Sequence, residues 1–304
     1  MTFGIGESAA LAAAMMWAVS AMIWGRVELT AVGINLTKNV FGTVYILIHL
    51  AIVSVIAGTA MFNASLESLG WLSLSGLVGI VIGDTLYFRS LQILGPRLSL
   101  MVASSSPLAA ALLGWWWLSE DLMWFSIVGI MLTVAGIVSV VSDRRAKAER
   151  PKLLPGKVST GVLCGIGGAI AQAAGVALSK LGMDDCGPAE ATFVRLVAAA
   201  VLTVVITMAA GNLRSIVRNT CKAKTLKLIL LGTAVGTWLG IWLSQVAVKD
   251  TNVAIAQTLL ATSPLFAIPI VFFYQGHKVS VIAIIGTLIA IFGIFLAVSS
   301  NGTQ

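Results

Sequence analysis

Ten apolar runs decide what this chain can become. They cover residues 8–25, 33–58, 70–93, 98–118, 122–142, 158–179, 189–211, 226–247, 252–274 and 279–299. Each is close to the roughly 20 residues that a helix needs to cross the hydrocarbon of a bilayer. Inside hydrocarbon every backbone N–H and C=O must be satisfied internally, so each run is read as a helix. Composition agrees: 58% of the 304 residues are hydrophobic and only 10% charged, and the mean hydropathy is +0.99. Those values exclude a water-soluble domain with a polar shell. The expected fold class is an all-α membrane protein with ten transmembrane helices. The first run is expected to be retained, because the N-terminus lacks the basic region and cleavage site of a secretory signal.

The runs also repeat. Ser104-Ser105-Ser106-Pro107 recurs 157 residues later as Ala261-Thr262-Ser263-Pro264. At the same offset Gly129 and Gly136 fall on Gly286 and Gly293, and Ser75, Gly79 and Gly83 fall on Gly232, Gly236 and Gly240. A register held that long marks a duplicated unit. Five spans per copy is an odd number, so the second copy must enter the membrane from the opposite side, giving two inverted five-helix repeats. The expected divisions are 1–142, a basic linker at 143–157, and 158–304. Each Ser-Pro predicts a bent helix, with the carbonyls of Ala103 and Leu260 freed. The small residues at i, i+4 and i+8 predict close helix approach. Trp115, Trp116 and Trp117 in one copy, and Phe272, Phe273 and Tyr274 in the other, predict aromatic belts on opposite faces.

Five ionisable residues fall inside the runs: Lys38, His49, Asp84, Arg89 and Arg195. Such residues are costly in a bilayer and mark a pathway or a paired interior site. Lys38 and Arg195 are equivalent under the offset, each about two turns into the second helix of its copy. They are read as lining a cavity, one near each mouth, where they attract an anionic group such as a substrate carboxylate; the alternative is snorkelling to the nearer interface. Asp84 lies about 15 Å from the end of its helix at ~1.5 Å per residue. It is read as facing the cavity and binding a proton or pairing with a cation; the alternative is a structural pair with His49, Lys38 or a serine. The second copy has Ile241 in its place. His49 reaches a similar depth and could share the proton, whereas Arg89, near its helix end, is read as structural. Gln172, Gln245 and Gln257 offer neutral donors and acceptors inside the bundle. With Ser106, Pro107, Ser263 and Pro264, these residues form the candidate substrate and ion pathway.

Cys164, Cys186 and Cys221 are odd in number and lack C-x-x-C spacing, so neither a disulfide framework nor a zinc site is indicated, and no cofactor is expected. The formal charge of +7 sits in two loops rather than along an aromatic-interleaved face, which argues against nucleic acid. The expected partners are a small-molecule substrate, membrane lipids and protons, with the protein a monomer or weak homodimer. One basic segment holds Arg144, Arg145, Lys147, Arg150, Lys152 and Lys157, and the other Arg214, Arg218, Lys222, Lys224 and Lys227; the opposite face has little beyond Lys180 and Lys249. The positive-inside rule then places both basic loops in the cytoplasm and both termini outside, in the cytoplasmic (inner) membrane.

The order of features resembles one half of an EamA-type member of the drug/metabolite transporter superfamily, repeated twice. Ser106-Pro107 followed by Glu120 at the end of the fourth helix, and a fifth helix bearing Gly129 and Gly136, carry the resemblance. The second copy departs from it with His277 at the acidic position. The resemblance implies a ten-helix carrier that moves small metabolites, often outward, through a central cavity between the repeats, and it leaves the substrate open. It also implies termini in the cytoplasm, against the charge argument above.

No G-x-x-x-x-G-K-[ST] loop is present, so energy must come from an ion or substrate gradient, or exchange is merely facilitated. The favoured reading is a secondary transporter exporting amino-acid-like or other small polar or amphipathic solutes by alternating access, with proton coupling as an option. A lipid-carrier flippase or flippase subunit of the same fold is the alternative. An intramembrane hydrolase using Ser104 to Ser106 with His49 is a further one, although G-x-S-x-G and H-E-x-x-H are missing.

Overall fold

The computed structural model describes residues 4–58, 60–119, 123–141, 157–267 and 281–299, and these form helices joined by turns. In chain order they are α1 (Ile5–Trp24), α2 (Ala31–Ala57), α3 (Leu66–Leu94), α4 (Pro96–Ala103), α5 (Ser106–Trp117) and α6 (Trp124–Val141). The second copy supplies α7 (Val158–Leu181), α8 (Pro188–Ala209), α9 (Leu213–Thr220), α10 (Ala223–Asp250), α11 (Val253–Leu260) and α12 (Val281–Ser299). Six of them, α1, α2, α3, α7, α8 and α10, are long and apolar enough to cross a membrane. The side chains are distributed inside out for a soluble protein. Val55, Ile56, Leu66 and Trp116 are about four-fifths exposed, while Asn35, Lys38, Asn39 and Arg195 are buried. An apolar exterior over a polar interior is what lipid selects.

The duplicated glycines determine how the copies meet. A Cβ on Gly129 would lie 2.5 Å from Gly293 O, and one on Gly136 would lie 2.5 Å from Gly286 O, so only bare backbone lets α6 and α12 approach this closely. The partner numbers run in opposite directions, so the two helices are antiparallel. The 157-residue offset carries the contact Gly129–Gly293 onto Gly286–Gly136, which is the other contact of the same pair. That is the behaviour of a two-fold axis passing between equivalent helices.

Elsewhere each copy grips the other. Gly79 of α3 faces Gly175 of α7, and Ser75 Oγ donates to Gly175 O. In the equivalent place on α10, Gly232, Gly236 and Gly240 receive Trp24, Ser20 and Trp17 of α1, and Trp17 Nε1 donates to Gly236 O at 3.1 Å. Both of these helices widen into π-helical turns at matching positions, Gly76–Asp84 in α3 and Thr233–Leu239 in α10. Such turns are rare in proteins and concentrate at functional sites.

At the serine-proline motifs the regular helical ladder is interrupted while the backbone stays right-handed, with φ −77° and ψ −12° at Ser105 and φ −68° and ψ −7° at Ala261. The run expected at 98–118 is two helices, α4 and α5, parted at Ser104–Ser105, and α11 ends at the matching Ala261–Thr262. Tighter bonds bridge both breaks, from Ser105 N to Val102 O at 3.1 Å and from Thr262 N to Leu259 O at 3.1 Å. Hydroxyls reinforce them: Ser104 Oγ donates to Leu100 O, Ser105 Oγ to Val102 O, and Thr262 Oγ1 to Leu259 O. Proline cannot continue the ladder, and the hydroxyls double the backbone bonds already made to Leu100 O, Val102 O and Leu259 O rather than reaching the carbonyls of Ala103 and Leu260. Ser106, Pro107, Ser263 and Pro264 are all buried. The connection after α8, read from sequence as a loop, holds the short helix α9. Most of the linker 143–157, Glu120, His277, Phe272, Phe273 and Tyr274 lie outside the described residues.

Candidate functional site

The polar core of the bundle is assembled on α2. Asn35, Lys38 and Asn39 are spaced i, i+3 and i+4, so they share one face of that helix. Lys38 Nζ lies 2.7 Å from Asp84 Oδ2 and donates to Asn39 Oδ1 at 2.8 Å. Asn39 donates to Asn35 Oδ1 at 3.1 Å. The Asn35 amide then reaches Ile80 O at 2.8 Å, Val81 O at 3.2 Å and Thr85 Oγ1 at 2.8 Å. Those acceptors lie in or beside the π-helical stretch, where widening of the helix disturbs the regular carbonyl ladder. From the second copy, Gln172 Nε2 on α7 donates to Asp84 Oδ1. Asp84 is therefore an acceptor held by a cation of its own copy and an amide of the other, with the lysine and aspartate side chains 3% and 14% exposed.

Arg195 occupies the position in α8 that Lys38 occupies in α2, and its surroundings differ. A Cβ on Gly76 would lie 2.5 Å from Arg195 O, and one on Gly79 would lie 3.3 Å from a guanidinium nitrogen, so these glycines make room for the arginine. Its charge acts on Lys38, and the Asp84 charge acts on it. The sequence placed one cation near each mouth; the fold instead brings both towards one carboxylate, because two helices entering from opposite faces present mid-depth residues to the same layer. Arg195 forms no ion pair among the described residues, and its buried Nε meets no acceptor.

His49 is not part of this cluster. It sits three turns further along α2, about 16 Å at ~1.5 Å per residue. Its Nδ1 accepts from Trp238 Nε1 at 3.2 Å, and its ring stands edge-on to Trp242 with centroids 4.6 Å apart. The expected sharing of a proton with Asp84 is therefore corrected: helical rise separates the two, and the histidine is committed to tryptophans. Nor does His49 meet Ser104 or Ser105, whose hydroxyls return to their own helix. Gln245 is fully buried with neither amide atom partnered, and Gln257 is buried on α11.

The two ends of the bundle are unlike. Where α2 ends and α3 begins, Glu190 Oε1 accepts from Asn63 N and Ala64 N at 2.5 and 2.8 Å, and Asp185 Oδ2 accepts from Ser65 N at 2.9 Å. Lys249 Nζ donates to Cys186 O at 2.7 Å, Lys180 Nζ to Thr251 O at 2.9 Å, and Thr251 Oγ1 to Glu7 Oε1 at 3.3 Å. This clasp ties both copies together across one face. Hydrogen bonds from the Ser65 and Ser68 side chains and the Ser65 N–H hold the Asp185 carboxyl down at about 2. Burial, then the Glu190 and Asp185 charges, pushes the Cys186 thiol up to about 11. On the other face, where Arg214, Arg218, Lys222 and Lys224 stand exposed, a cavity of about 660 Å³ opens between Glu28, Thr30, Gln92, Thr207 and Asn219. Lys38, Asp84 and Arg195 do not line it.

Asn35 and Asn39 were not singled out from sequence, although two amides flanking a lysine in an apolar run are a readable signal of a polar helix face. The clasp gave no such signal, since its carboxylates lie in or next to a short turn and act on backbone of the other copy.

Two copies of a helical unit, an apolar exterior and a charged, amide-rich interior define a multi-pass integral membrane protein. The model of the EamA-like transporter family matches residues 4–142 and again 159–299, and the chain belongs to that family. A solved protein crystal structure superposes with a TM-score of 0.69 over 98% of this chain and 97% of its own, at 16% identity, which is a likeness of fold. No curated protein matches the chain.

Proposed function

We propose that the protein is a secondary transporter that exports small metabolites, amino-acid-like or otherwise polar or amphipathic, across the cytoplasmic membrane by alternating access. The observation that carries this reading is the Lys38–Asp84–Gln172 cluster, buried at the seam where the two copies of an EamA-like fold meet. A buried ion pair contributes little stability against an apolar replacement, so its presence at the moving seam points to use during transport. In this reading ten helices cross the bilayer as two inverted repeats, 1–142 and 158–304, joined by the basic linker 143–157.

The offset also supplies the opposite state. The clasp residues Asn63, Ala64, Ser65, Asp185 and Glu190 correspond to Thr220, Cys221, Lys222, Glu28 and Gly33. Glu28 borders the open cavity, and Lys222 is the N-cap of α10 as Ser65 is of α3. Closing the cavity draws Glu28 onto the 220–222 turn while the clasp releases, which exchanges the two faces. The basic loops are cytoplasmic by the positive-inside rule, so the cavity faces the cytoplasm and awaits cargo for export. Asp84 changes partners or binds a proton as the cycle proceeds.

A radiolabelled-metabolite screen in proteoliposomes, with and without a proton gradient, tests the reading. Flux of at least one solute that is lost in Asp84→Asn is the expected result. No saturable flux of any solute would sink it.

A further inference from the structure

The two-fold relation exposes a missing charge. In the first copy Lys38 faces Asp84 across the contact between α2 and the second half of α3. The same operation carries that contact to α8 and the second half of α10, where Arg195 stands for Lys38 and Ile241 for Asp84. Ile241 packs in one apolar cluster with Leu196, the residue after Arg195, so the second contact does form. Only its carboxylate is lacking. Accordingly Lys38 has a counter-ion, whereas Arg195 has none among the described residues and its buried Nε has no acceptor. A second orphan is nearby: Thr233 Oγ1 is buried without a partner, and the Thr233 methyl lies 3.6 Å from where a Cβ on Gly42, one turn along from Lys38, would stand.

Lys38, Asp84 and Arg195 together leave one uncompensated positive charge in a nearly dry seam, and an unpaired buried charge costs several kcal/mol. A protein with this arrangement at its transport seam needs a partner from outside. We propose that the transported or co-bound solute carries a single carboxylate, which docks on the Arg195 guanidinium and supplies the counter-ion that the chain provides to Lys38 but not to Arg195. The neighbouring Nε–H and terminal N–H of a guanidinium form a planar fork that matches a carboxylate. One negative charge neutralises the seam, whereas a phosphate dianion overshoots it and a neutral solute leaves it charged. Gly76 packs on the Arg195 backbone, and a Cβ on Gly79 would lie 3.3 Å from a guanidinium nitrogen, so neither position can carry a side chain against the arginine. The inference rests on the transporter reading for its biological meaning, but not for its test.

The test is thermal unfolding of the purified full-length protein in detergent, titrated with acetate, propionate, benzoate and alanine, and in parallel with acetamide, propionamide, benzamide and alaninamide. At least one acid is expected to raise the unfolding temperature and to bind at least about tenfold more tightly than its amide, the factor that one charge-assisted hydrogen bond carries. Arg195→Gln should abolish that preference. Ile241→Asp supplies the carboxylate from within, so it should raise the unfolding temperature without ligand and remove the response to acids. The proposal is overturned if acids and amides act alike, if no acid in the panel acts, if chloride or phosphate alone acts, or if Arg195→Gln responds as the parent does. Export of neutral solutes that is unaffected by Arg195→Gln would leave the transporter reading standing and this inference refuted.

Discussion

The first copy of the repeat contains a completed ion pair; the second contains half of one. Lys38 and Arg195 stand at equivalent positions, and both are buried, yet Lys38 meets Asp84 at 2.7 Å while the position opposite Arg195 is taken by Ile241. The backbone scaffold around them is the same: matched π-helical turns, matched serine-proline breaks and a self-complementary α6/α12 seam. The difference teaches that duplication set the frame and that side-chain divergence within it created a polarity, one cation satisfied and the other waiting.

The largest effect should come from the same substitution at the two equivalent cations. Lys38→Met strands Asp84 in the seam and is expected to lower stability by about 3–5 kcal/mol, the usual cost of breaking a buried pair. Arg195→Met removes a charge that has no partner and is expected to be neutral or slightly stabilising. Lys38→Met combined with Asp84→Leu should restore most of the loss while leaving transport dead. Unfolding midpoints in detergent check all three, and equal losses at positions 38 and 195 would erase the asymmetry on which the comparison stands.

The helix seam should behave in the opposite way, with the two copies indistinguishable. A Cβ on Gly136 would meet Gly286 O at 2.5 Å, and one on the equivalent Gly293 would meet Gly129 O at 2.6 Å. Gly136→Ala and Gly293→Ala should therefore each cost about 1–3 kcal/mol through overpacking, whereas Gly70→Ala, which meets nothing within 4 Å, should be tolerated. Unequal costs at 136 and 293 would show that the two-fold does not pass through this seam.

The smallest effect concerns the clasp and its image. Glu190→Ala removes the acceptor of two backbone N–H groups and is expected to expose Cys186; Glu28→Ala, on the open face at the position that matches Asp185, should not. Maleimide labelling in a background carrying Cys164→Ser and Cys221→Ser reads this directly. The parent should label slowly at neutral pH, because the Cys186 thiol, raised to about 11, is buried and protonated there. Acid should spare the clasp for longer than expected of an ordinary carboxylate. Asp185 is depressed in the folded protein to about 2 from an ordinary 3.8, so its contribution is complete above pH ~4 and is lost only as pH falls towards ~2. Hydrogen exchange at the Ser65 amide checks it; release already at pH 5 would contradict the assignment.

Much of this protein was legible in its residues. The apolar runs dictate helices, because hydrocarbon offers no partner for a bare amide. The constant 157-residue register reveals the duplication, and the glycines at 129, 136, 286 and 293 mark where backbones touch. Asp84 and the two cations could be named as costly and therefore purposeful.

Sequence alone did not decide who meets whom. A similar depth in the membrane put His49 within reach of Asp84, but it lies three turns from Lys38 along α2, against Trp238 and Trp242. The offset identified Lys38 and Arg195 as equivalents without revealing that antiparallel entry brings both to one layer. The serine-proline motif announced a bend, and in the fold the ladder is interrupted there and bridged by tighter backbone bonds from Ser105 and Thr262. The clasp of Asp185 and Glu190 on the 63–65 backbone depends on turns from different copies being neighbours, which no local pattern encodes. Charge cost and periodicity are properties of the chain; pairing is a property of the packed helices, since a few ångströms of helix displacement decide whether a buried cation finds its carboxylate.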